Sequence, residues 1–414
     1  MTVKVLVVGS GAREHALCLG LSRDPAVASV HCAPGNAGIA DLATLHPLDG
    51  SDPRSIAALA VDLGVDLVVV GPEVPLVAGA ADAVRDKGIA CFGPSAAAAQ
   101  LEGSKAFAKE VMATAGVPTA LAHVCESDDE VVAALDAFGP PYVVKDDGLA
   151  AGKGVVVTDD RAAARAHAAS CGRVVIEEYL DGPEISLFCV TDGSTVVALE
   201  PAQDFKRAGD GDTGPNTGGM GAYSPLDWAP ADLAERVIEA VAQPTVDAMR
   251  RRETPFAGLL YVGLALTSRG MKVIEFNARF GDPETQVVLE RLRTPLFSLL
   301  LAAATGTLDR MPALSWSADA AVTVVVAADG YPTSPRTGDA IGGLAAANAV
   351  AGAYVLHAGT KRAEDGQVVS AGGRVLSVVG TGADVAQARA HAYDAVAHIE
   401  LRGSHHRTDI AAGR

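Results

Sequence analysis

Residues 274–286, IEFNARFGDPETQ, concentrate charged side chains at the end of an apolar, strand-like run. In a strand, Glu275 and Asn277 project to the same face, so a carboxylate and an amide oxygen can bind one hard divalent cation. Arg279 shares that face if the strand continues, and its planar guanidinium suits a carboxylate or phosphate. The sequence Gly-Asp-Pro at 281–283 then turns the chain. A salt-bridge network at a sheet edge is the structural alternative.

A second segment with chemical potential is 143–157, VVKDDGLAAGKGVVV, in which two β-type runs flank a glycine-rich loop. Glycine allows close approach of the backbone to polyphosphate, and Lys145 and Lys153 supply positive charge. The spacing GxxxxGK[ST] of a Walker loop is absent. We therefore predict phosphate binding by this hairpin rather than a plain turn.

The segment EEYLDGPE at 177–184 follows the next strand. Its acids can accept hydrogen bonds from an adenine amino group and from ribose hydroxyls, while the backbone at Tyr179 and Leu180 can contact the adenine edge. A solvated strand end is the alternative interpretation. The short distance in sequence to the lysine-glycine hairpin favours a nucleotide.

Residues 212–225, DTGPNTGGMGAYSP, read as a polar glycine loop without helical or strand period. Glycines are costly in chain entropy and indicate close backbone approach to a ligand. Thr213, Asn216 and the prolines add hydrogen bonds and rigidity. A disordered surface loop is the alternative.

The loop GSGAREH at 9–15 resembles a dinucleotide fingerprint, but Glu14 stands in place of the third glycine. The second predicted strand ends in VHCAPG, without the acid that a nicotinamide ribose requires. Nicotinamide binding is therefore disfavoured. Backbone N–H groups at a helix N-terminus suit a single phosphate, and a tight turn without ligand is the alternative.

The elements that position these loops alternate between strand and helix over residues 1–100, which predicts a doubly wound parallel sheet. Ligands of such sheets bind beyond the carboxyl ends of the strands, where four glycine-bearing loops fall. The predicted strands are 3–8, 27–32, 65–70 and 89–92, and the predicted helices are 12–22, 53–63 and 76–87. A helix through Ser104 that ends before Gly116, a compact α+β module at 122–188, and a small mixed domain after 320 follow.

Composition limits the class of partner. A formal charge of −17 over 414 residues argues against binding of nucleic acid or an anionic membrane by bulk electrostatics. Six scattered cysteines without a CxxC pair, and an N-terminus without signal-peptide features, favour a reduced cytoplasmic compartment. The longest apolar run, LFSLLLAAA at 296–304, is well short of the ~20 residues of a membrane span and predicts a buried helix.

The order of these motifs, together with APGNAG, EGSKAFAK, QDFKR and HAGTK, resembles the phosphoribosylamine–glycine ligase family of ATP-grasp enzymes. The resemblance runs from residue 3 to about 411, and RFGDPETQ and DTGPNTGGMGAYSP are its most specific parts. It implies a multidomain α/β fold with an N-terminal doubly wound parallel sheet, an ATP-grasp core carrying a small α+β lid, and a small mixed α/β C-terminal domain. The corresponding boundaries are 1–101 for the N-terminal domain, 102–121 and 189–325 for the core, 122–188 for the lid, and 326–414 for the C-terminal domain.

The resemblance also implies the reaction. Glycine's carboxylate attacks the γ-phosphate of ATP to give glycyl phosphate, which the amine of 5-phosphoribosylamine captures to form glycinamide ribonucleotide. ADP and phosphate are the other products, and the implied cofactor is Mg²⁺ or Mn²⁺. The expected partners are these small molecules alone, with no nucleic acid or membrane, for a monomer or weak homodimer.

Residue roles follow from the resemblance, motif by motif. The implied metal ligands are Glu275 and Asn277. The implied ATP-binding residues are Lys105, Lys145, Gly152, Lys153, Gly154, Glu177, Glu178, Tyr179, Leu180 and Glu184, the last of them on the ribose. The implied catalytic residues, which position glycine and the acyl phosphate, are Arg279, Asp282 and Asp212, with substrate contacts from Thr213, Pro215, Asn216 and Gly218. The implied phosphoribosylamine residues are Gly9, Gly11, Arg13, Gly35 and Asn36.

One departure from the family pattern concerns the lid, because the connection from Thr158 to Arg173 is shorter than usual and lacks a glycine-rich segment. Three alternative functions stay open at this point. Another ATP-grasp ligase, of the carboxylase or aminoimidazole-ribonucleotide type, would share the lysine hairpin and metal acids but not both specific motifs. A nucleotide sensor without acceptor chemistry would not need Glu275, Asn277 and Arg279. A nicotinamide oxidoreductase is the weakest alternative.

Overall fold

The computed structural model describes residues 3–149 and 154–413. Its N-terminal unit is a five-stranded sheet of order β3-β2-β1-β4-β5, parallel throughout, as the alternating pattern predicts. The predicted helix 76–87 is interrupted, because Gly79 adopts a φ of +98° that ends one helix before the next begins. The elements are β1 (Val3–Gly9), α1 (Ala12–Ser22), β2 (Val27–Pro34), β3 (Thr44–Leu45), α2 (Pro53–Leu63), β4 (Leu67–Val70), α3 (Glu73–Val77), α4 (Ala80–Arg85) and β5 (Ala90–Phe92).

The central unit is built on a four-stranded antiparallel sheet of order β11-β10-β16-β17. Helix α6 starts at the Ser104 cap, whose hydroxyl accepts from the Phe107 N–H, and stops at Gly116 with a φ of +69°. The elements are α5 (Gln100–Gly103), α6 (Lys105–Ala115), β10 (Glu184–Asp192), β11 (Val196–Ala198), α9 (Leu233–Val237), α10 (Gln243–Arg251), β16 (Ala257–Thr267), β17 (Gly270–Asn277), α11 (Glu284–Arg291) and α12 (Leu296–Thr305). A π-helical turn, Ile238–Ala242, joins α9 to α10.

The run LFSLLLAAA forms α12, which is buried against both the N-terminal sheet and the central sheet. That confirms the prediction of a buried helix. Across the described ranges 3–149 and 154–413, no helix has the length and apolarity that a bilayer crossing requires.

Most of the small α+β unit predicted at 122–188 carries its own hydrophobic core between two helices and a four-stranded sheet of order β6-β9-β7-β8. The predicted boundary between residues 188 and 189 falls inside β10, which belongs to the central sheet. A capping box between Ser127 and Glu130 begins its first helix. The elements are β6 (Ala122–Cys125), α7 (Asp128–Phe138), β7 (Tyr142–Asp146), β8 (Val155–Thr158), α8 (Arg161–Ala169) and β9 (Val174–Glu177).

The C-terminal sheet has five antiparallel strands in the order β12-β15-β18-β23-β20. Two of them, β12 and β15, come from the middle of the chain, before helix α9. The predicted boundary between residues 325 and 326 falls inside β18 (Ala320–Ala327). The remaining elements are β12 (Gln203–Asp204), β13 (Arg207–Gly209), β14 (Thr213–Asn216), β15 (Gly221–Ser224), β19 (Ile341–Gly342), α13 (Leu344–Asn348), β20 (Ala353–His357), β21 (Thr360–Arg362), β22 (Val368–Ser370), β23 (Arg374–Gly382), α14 (Val385–Val396) and β24 (Glu400–Leu401).

Candidate functional site

Glu275 and Asn277 lie at the end of β17, where they pair in register with Gly263 and Tyr261 of β16 and therefore share one face of the sheet. Both side chains are half-buried, and within the described residues neither has a hydrogen-bond partner. A carboxylate and an amide oxygen left free on one face suit Mg²⁺, which takes oxygen ligands.

The metal-binding potential of this face rests on few protein ligands. Among the residues that the structure describes, no cluster of three or more His, Cys, Asp or Glu side chains is arranged to hold a metal. Mg²⁺ commonly binds through one or two carboxylates together with substrate phosphates. The Glu275 and Asn277 pair therefore fits a magnesium ion that arrives with a nucleotide.

Arg279 is expected to share the Glu275 face only if the strand continues, and β17 ends at Asn277. Its Nε lies 3.1 Å from Glu73 Oε2 and its Nη2 lies 2.9 Å from Glu102 Oε1. Burial opposes the charge of Arg279, but Glu102 and Glu73 outweigh it and raise the guanidinium pKa. Arg279 thus joins the post-β17 loop to the N-terminal unit and α5.

Asp282 connects three parts of the chain. Its carbonyl accepts from Arg374 Nη1 at 2.7 Å, and the same Nη1 donates to Gly218 O at 2.6 Å. Its carboxylate accepts from the Arg13 N–H at 3.4 Å and from Gln286 Nε2 at 2.9 Å. Burial raises the pKa of Asp282, but Arg374 and Arg13 outweigh it and lower the pKa. Asp282 stays charged at this junction.

Glu284 and Gln286, to which the sequence analysis assigns no role, are almost completely buried at the start of α11, with 3% and 1% exposed. Glu284 Oε1 accepts from Tyr261 Oη at 2.6 Å and from Ser186 Oγ at 3.2 Å. A buried carboxylate requires such partners. Glu284 therefore fixes the turn behind Glu275, and sequence spacing alone carries no signal for it.

On the lysine side, Glu177 is a partner of two lysines and not an exposed adenine contact. Its Oε2 lies 2.9 Å from Lys145 Nζ and its Oε1 lies 3.0 Å from Lys109 Nζ. Lys145 also donates to Ile274 O at 3.0 Å, next to Glu275. Burial lowers the pKa of Lys109, and Glu177 opposes that effect. Lys109 is a site residue that the sequence analysis does not assign.

Of the other predicted ATP-binding residues, Glu178 is ion-paired, whereas Tyr179 and Leu180 are partly or fully exposed. Glu178 binds Lys272 at 2.6 Å and Arg269 at 2.8 Å; burial opposes its charge, but these partners lower its pKa to about 2. Tyr179 is exposed and Leu180 is half-buried, which leaves their backbone at an open edge. Predicted residues outside the described part of the chain are Gly152 and Lys153.

Contacts from the start of α6 attach the lid hairpin, β7 and β8, to the central unit. Lys105 Nζ donates to Gly148 O at 2.9 Å, and the Asp147 carboxylate accepts from the Ala106 N–H at 3.0 Å. Gly154 O accepts from the Asp146 N–H at 2.7 Å where the hairpin returns. Lys105 is thus held beside the loop that the sequence predicts to cover phosphates.

Lys206, from the QDFKR motif, lies between the predicted ribose acid and the predicted metal acid. Its Nζ contacts the Glu184 carboxylate and lies 3.9 Å from Asp204 Oδ1. Burial lowers the pKa of Lys206, but Asp204, Glu184 and Glu275 outweigh it and raise the pKa. Burial raises the pKa of Asp204 to about 7 despite Lys206. The sequence shows the QDFKR motif, but it does not show that the acids near Lys206 are Glu184, Asp204 and Glu275.

In the N-terminal loops, the Glu14 carboxylate accepts hydrogen bonds from groups of Gly11 and Arg13 that were predicted to bind a phosphate. It accepts from the Gly11 N–H at 2.6 Å and from Arg13 Nε at 2.6 Å, and Glu14 is 1% exposed. A β-carbon at Gly9 or Gly71 would clash with Glu14, which explains the glycines around it. Gly11 is therefore a partner of Glu14 rather than a free anion donor.

Asn36 is likewise occupied. Its Nδ2 donates to Ser10 O at 2.9 Å and to His357 O at 2.8 Å, and its Oδ1 accepts from the N–H groups of Gly38 and Ile39 at 3.0 Å each. Gly35, with a φ of +73°, donates its N–H to Gly9 O. Asn36 therefore ties the first two loops to β20 instead of offering free polar atoms.

The segment predicted as a glycine loop without strand period forms, in part, an antiparallel hairpin of β13 and β14, residues 207–216, here named the glycine-rich hairpin. Thr213 Oγ1 donates to Asp210 O within its turn, and Asn216 Nδ2 donates to Val155 O of the lid at 3.5 Å. Pro215 lies exposed on β14. Asp212, predicted as catalytic, is bound to Arg407 at 2.7 Å.

Comparison with protein families gives a consistent result along the chain. The model of the phosphoribosylglycinamide synthetase N domain matches residues 3–102, that of its ATP-grasp (A) domain matches 103–285, and that of its C domain matches 321–413. A phosphoribosylamine–glycine ligase of Streptomyces coelicolor is 69% identical over 412 residues, covering 99% of each chain. One from Mycobacterium tuberculosis is 57% identical over 417 residues, covering 99% of this chain and 97% of the relative.

Solved structures agree with the fold. A phosphoribosylamine–glycine ligase from Thermotoga maritima superposes with a TM-score of 0.85 at 33% identity, covering 99% of this chain and 100% of the other. The biotin carboxylase domain of a Hydrogenobacter thermophilus 2-oxoglutarate carboxylase, in complex with MgADP, gives a TM-score of 0.72 at 18% identity, covering 98% and 92%. The second likeness concerns the fold alone.

Proposed function

The chain belongs to the phosphoribosylglycinamide synthetase family, and from that premise we propose how its residues carry out the reaction. Its activity is phosphoribosylamine–glycine ligation, an ATP-dependent step of purine biosynthesis. The observation that best supports the proposal is the junction at Ile274, where the Lys145 ammonium donates to the carbonyl one residue before the free carboxylate of Glu275. The cationic Lys145 side chain and the proposed metal ligand Glu275 therefore lie next to each other.

In the proposed arrangement, Lys105, Lys145 and Lys206 face the ATP phosphates, and the backbone at Tyr179 and Leu180 receives adenine. Glu177 holds Lys145 in place through its 2.9 Å ion pair. When ATP binds, Glu184 exchanges its contact with Lys206 for the ribose hydroxyls, which frees the ammonium for phosphate. Phosphoryl transfer depends on such positioning and charge neutralisation more than on a covalent nucleophile.

Glu275 and Asn277 would hold Mg²⁺ or Mn²⁺ through their free oxygens. When bound, the ion neutralises phosphate charge and so reduces repulsion against an incoming carboxylate. The chain's own contribution is rigidity, because Glu284 fixes the turn that follows these two side chains.

The glycine carboxylate then attacks the γ-phosphorus, its oxygen forming a bond as the bond to the ADP oxygen breaks. The amine of 5-phosphoribosylamine attacks the carbonyl of the resulting glycyl phosphate, phosphate leaves, and the amine loses a proton. Arg279, Asp282 and residues 212–219, which include the second strand of the glycine-rich hairpin, position glycine in this proposal. Arg279 and Asp282 act by holding the loop, since both are engaged in ion pairs.

Phosphoribosylamine binds, in the proposal, at the carboxyl edge of the N-terminal sheet, near Gly9, Arg13 and Gly35. The occupied donors of Gly11 and Asn36 give them a shaping role there. The protein is proposed to work in the cytoplasm as a monomer or weak homodimer, which light scattering after size-exclusion chromatography will test.

A coupled ADP assay tests the function. We expect ADP release only when glycine, freshly generated phosphoribosylamine and magnesium are all present, with glycinamide ribonucleotide formed in equal amount. Equal turnover with either substrate omitted would contradict ligation. Turnover with bicarbonate in place of glycine would favour a carboxylase-type ATP-grasp enzyme instead.

A further inference from the structure

Arg407 lies in the C-terminal segment outside every motif used so far. Among the residues that the structure describes, it is the largest side chain that is almost completely buried, at 1% exposed. A buried guanidinium requires charged or polar partners on all sides. Its Nε and Nη2 donate to the two carboxylate oxygens of Asp409, each at 2.7 Å. Its Nη1 donates to Asp212 Oδ1 at 2.7 Å and to Arg207 O at 3.2 Å.

Arg407 and the two residues that follow it, Thr408 and Asp409, all contact the glycine-rich hairpin. The guanidinium lies 5.0 Å from the centre of the Phe205 ring, just before the hairpin. The Thr408 N–H donates to Asp210 Oδ1 at 2.8 Å, and Asp409 Oδ2 accepts from the Gly211 N–H at 2.8 Å. The first strand and the turn of the hairpin are therefore bound by residues 407–409.

The segment itself is fixed to α14. The Tyr393 hydroxyl donates to Arg407 O at 2.7 Å and accepts from the Ile410 N–H at 3.1 Å. Arg389 donates to Ile410 O at 2.9 Å and to Thr408 O at 2.6 Å. The hairpin is thus attached to a rigid helix of the C-terminal domain.

The far end of the hairpin reaches the proposed reaction centre. Thr217 donates its N–H to Lys206 O at 2.8 Å, and Asn216 contacts Val155 of the lid. Asp212, which pairs with Arg407, has a φ of +55°, a conformation that residues other than glycine rarely adopt. A strained turn of this kind persists only when its surroundings hold it.

We propose that Arg407 is a positioning residue for glycine, acting through Asp212 and the glycine-rich hairpin. The inference rests on the proposed role of that hairpin in glycine binding. It makes the C-terminal segment part of the substrate-binding apparatus, because binding is tightest when the loop is already held in its bound geometry.

The test compares Arg407→Lys, which keeps the charge but loses the planar fork, with Arg407→Gln, which loses both. We expect the KM for glycine to rise about tenfold in Arg407→Lys and further in Arg407→Gln, with the KM for ATP within about twofold of wild type. Asp212→Asn should raise the glycine KM similarly, and its effect should not add to that of Arg407→Lys.

Two further variants separate positioning from folding. Thr408→Val removes an exposed hydroxyl contact to Asp210 and should raise the glycine KM about two- to threefold in a folded protein. Val385→Ala weakens the buried start of α14 and should lower Tm without changing the glycine KM.

Equal rises in all substrate KM values, or a lower Tm with an unchanged glycine KM in the Arg407 variants, would overturn the proposal. If the Arg407 variants fail to fold, an unchanged glycine KM in both Thr408→Val and Asp212→Asn would overturn it. The proposed function fails separately, if wild-type protein releases ADP without glycine.

Discussion

The two halves of residues 274–286 differ in what surrounds their charges. At the end of β17, Glu275 and Asn277 present oxygens that have no hydrogen-bond partner within the described ranges. A few residues later, Arg279 and Asp282 are engaged by Glu73, Glu102 and Arg374. One segment thus carries free oxygens for a ligand and paired charges that fix its own position.

This contrast teaches how to separate binding from positioning in a charged loop. Within this segment, a polar group without a partner is available to a ligand, whereas Arg279 and Asp282 have already used their charges in ion pairs within the protein.

The largest effect is expected at the free carboxylate. Glu275→Gln removes the charge that faces the metal, so turnover should fall about 1,000-fold at limiting magnesium, because a catalytic metal contributes several kcal/mol. A magnesium titration of steady-state ADP release measures it, with the exposed Glu239→Gln as a matched control. Unchanged activity across the titration would remove Glu275 from the metal site.

The next effect is expected on folding, at the paired arginine. Arg279→Met leaves Glu102 buried without its partner, so the free energy of unfolding should fall by about 3 kcal/mol. Burial already raises the pKa of Glu102, and losing Arg279 raises it further. The loss of stability should therefore grow as pH rises through the raised pKa that Glu102 has in the wild-type protein. Urea unfolding at several pH values measures this.

The double variant Arg279→Met, Glu102→Gln provides the control for that experiment. It removes the stranded charge and should recover part of the lost stability. A double variant as unstable as Arg279→Met at every pH would show that the ion pair is not what Arg279 contributes.

A smaller effect is expected where a buried acid positions two lysines. Glu177→Gln should raise the KM for ATP about tenfold, because Lys109 and Lys145 both lose a partner. The pKa of Lys109 is lowered by burial and supported by Glu177, so the defect should worsen toward alkaline pH. Glu110→Gln is the control, because Glu110 is an exposed acid next to Lys109 on helix α6. An ATP KM equal to that of the control would contradict the positioning role.

The smallest effect concerns Glu178, a paired carboxylate at the edge of the site. Its folded pKa, about 2, is below the ordinary 4.5, so its ion pairs stabilise the protein above pH 4.5 and that stabilisation is lost as pH falls toward 2. Glu178→Gln should therefore lower Tm slightly at pH 7, and by progressively less as pH falls from 4.5 toward 2. A Tm difference that is independent of pH would contradict this.

Helix bounds and strand faces could be predicted from the sequence, because they depend on the local spacing of apolar residues and on glycines that flank the elements. The bounds of α1 and α2 match the predicted 12–22 and 53–63, because Gly11 and Gly64 flank these helices and alternation marks the strands between them. The shared face of Glu275 and Asn277 follows from the two-residue period of a strand.

Pairings between distant residues could not be predicted in this way. Asn36 binds a carbonyl 321 positions away at His357, and Arg279 binds an acid 206 positions away at Glu73. Such contacts depend on how the units pack, which periodicity does not encode. The sequence therefore identified charged residues near the site but not which of them were already paired.

The most direct test of the division within residues 274–286 is an electron paramagnetic resonance titration of Mn²⁺ with a non-hydrolysable ATP analogue. We expect Glu275→Gln to weaken Mn²⁺ binding at least about tenfold, while Arg279→Lys, which keeps its charge between Glu73 and Glu102, binds as wild type does. Wild-type Mn²⁺ affinity in Glu275→Gln, or an equal loss in Arg279→Lys, would contradict the account.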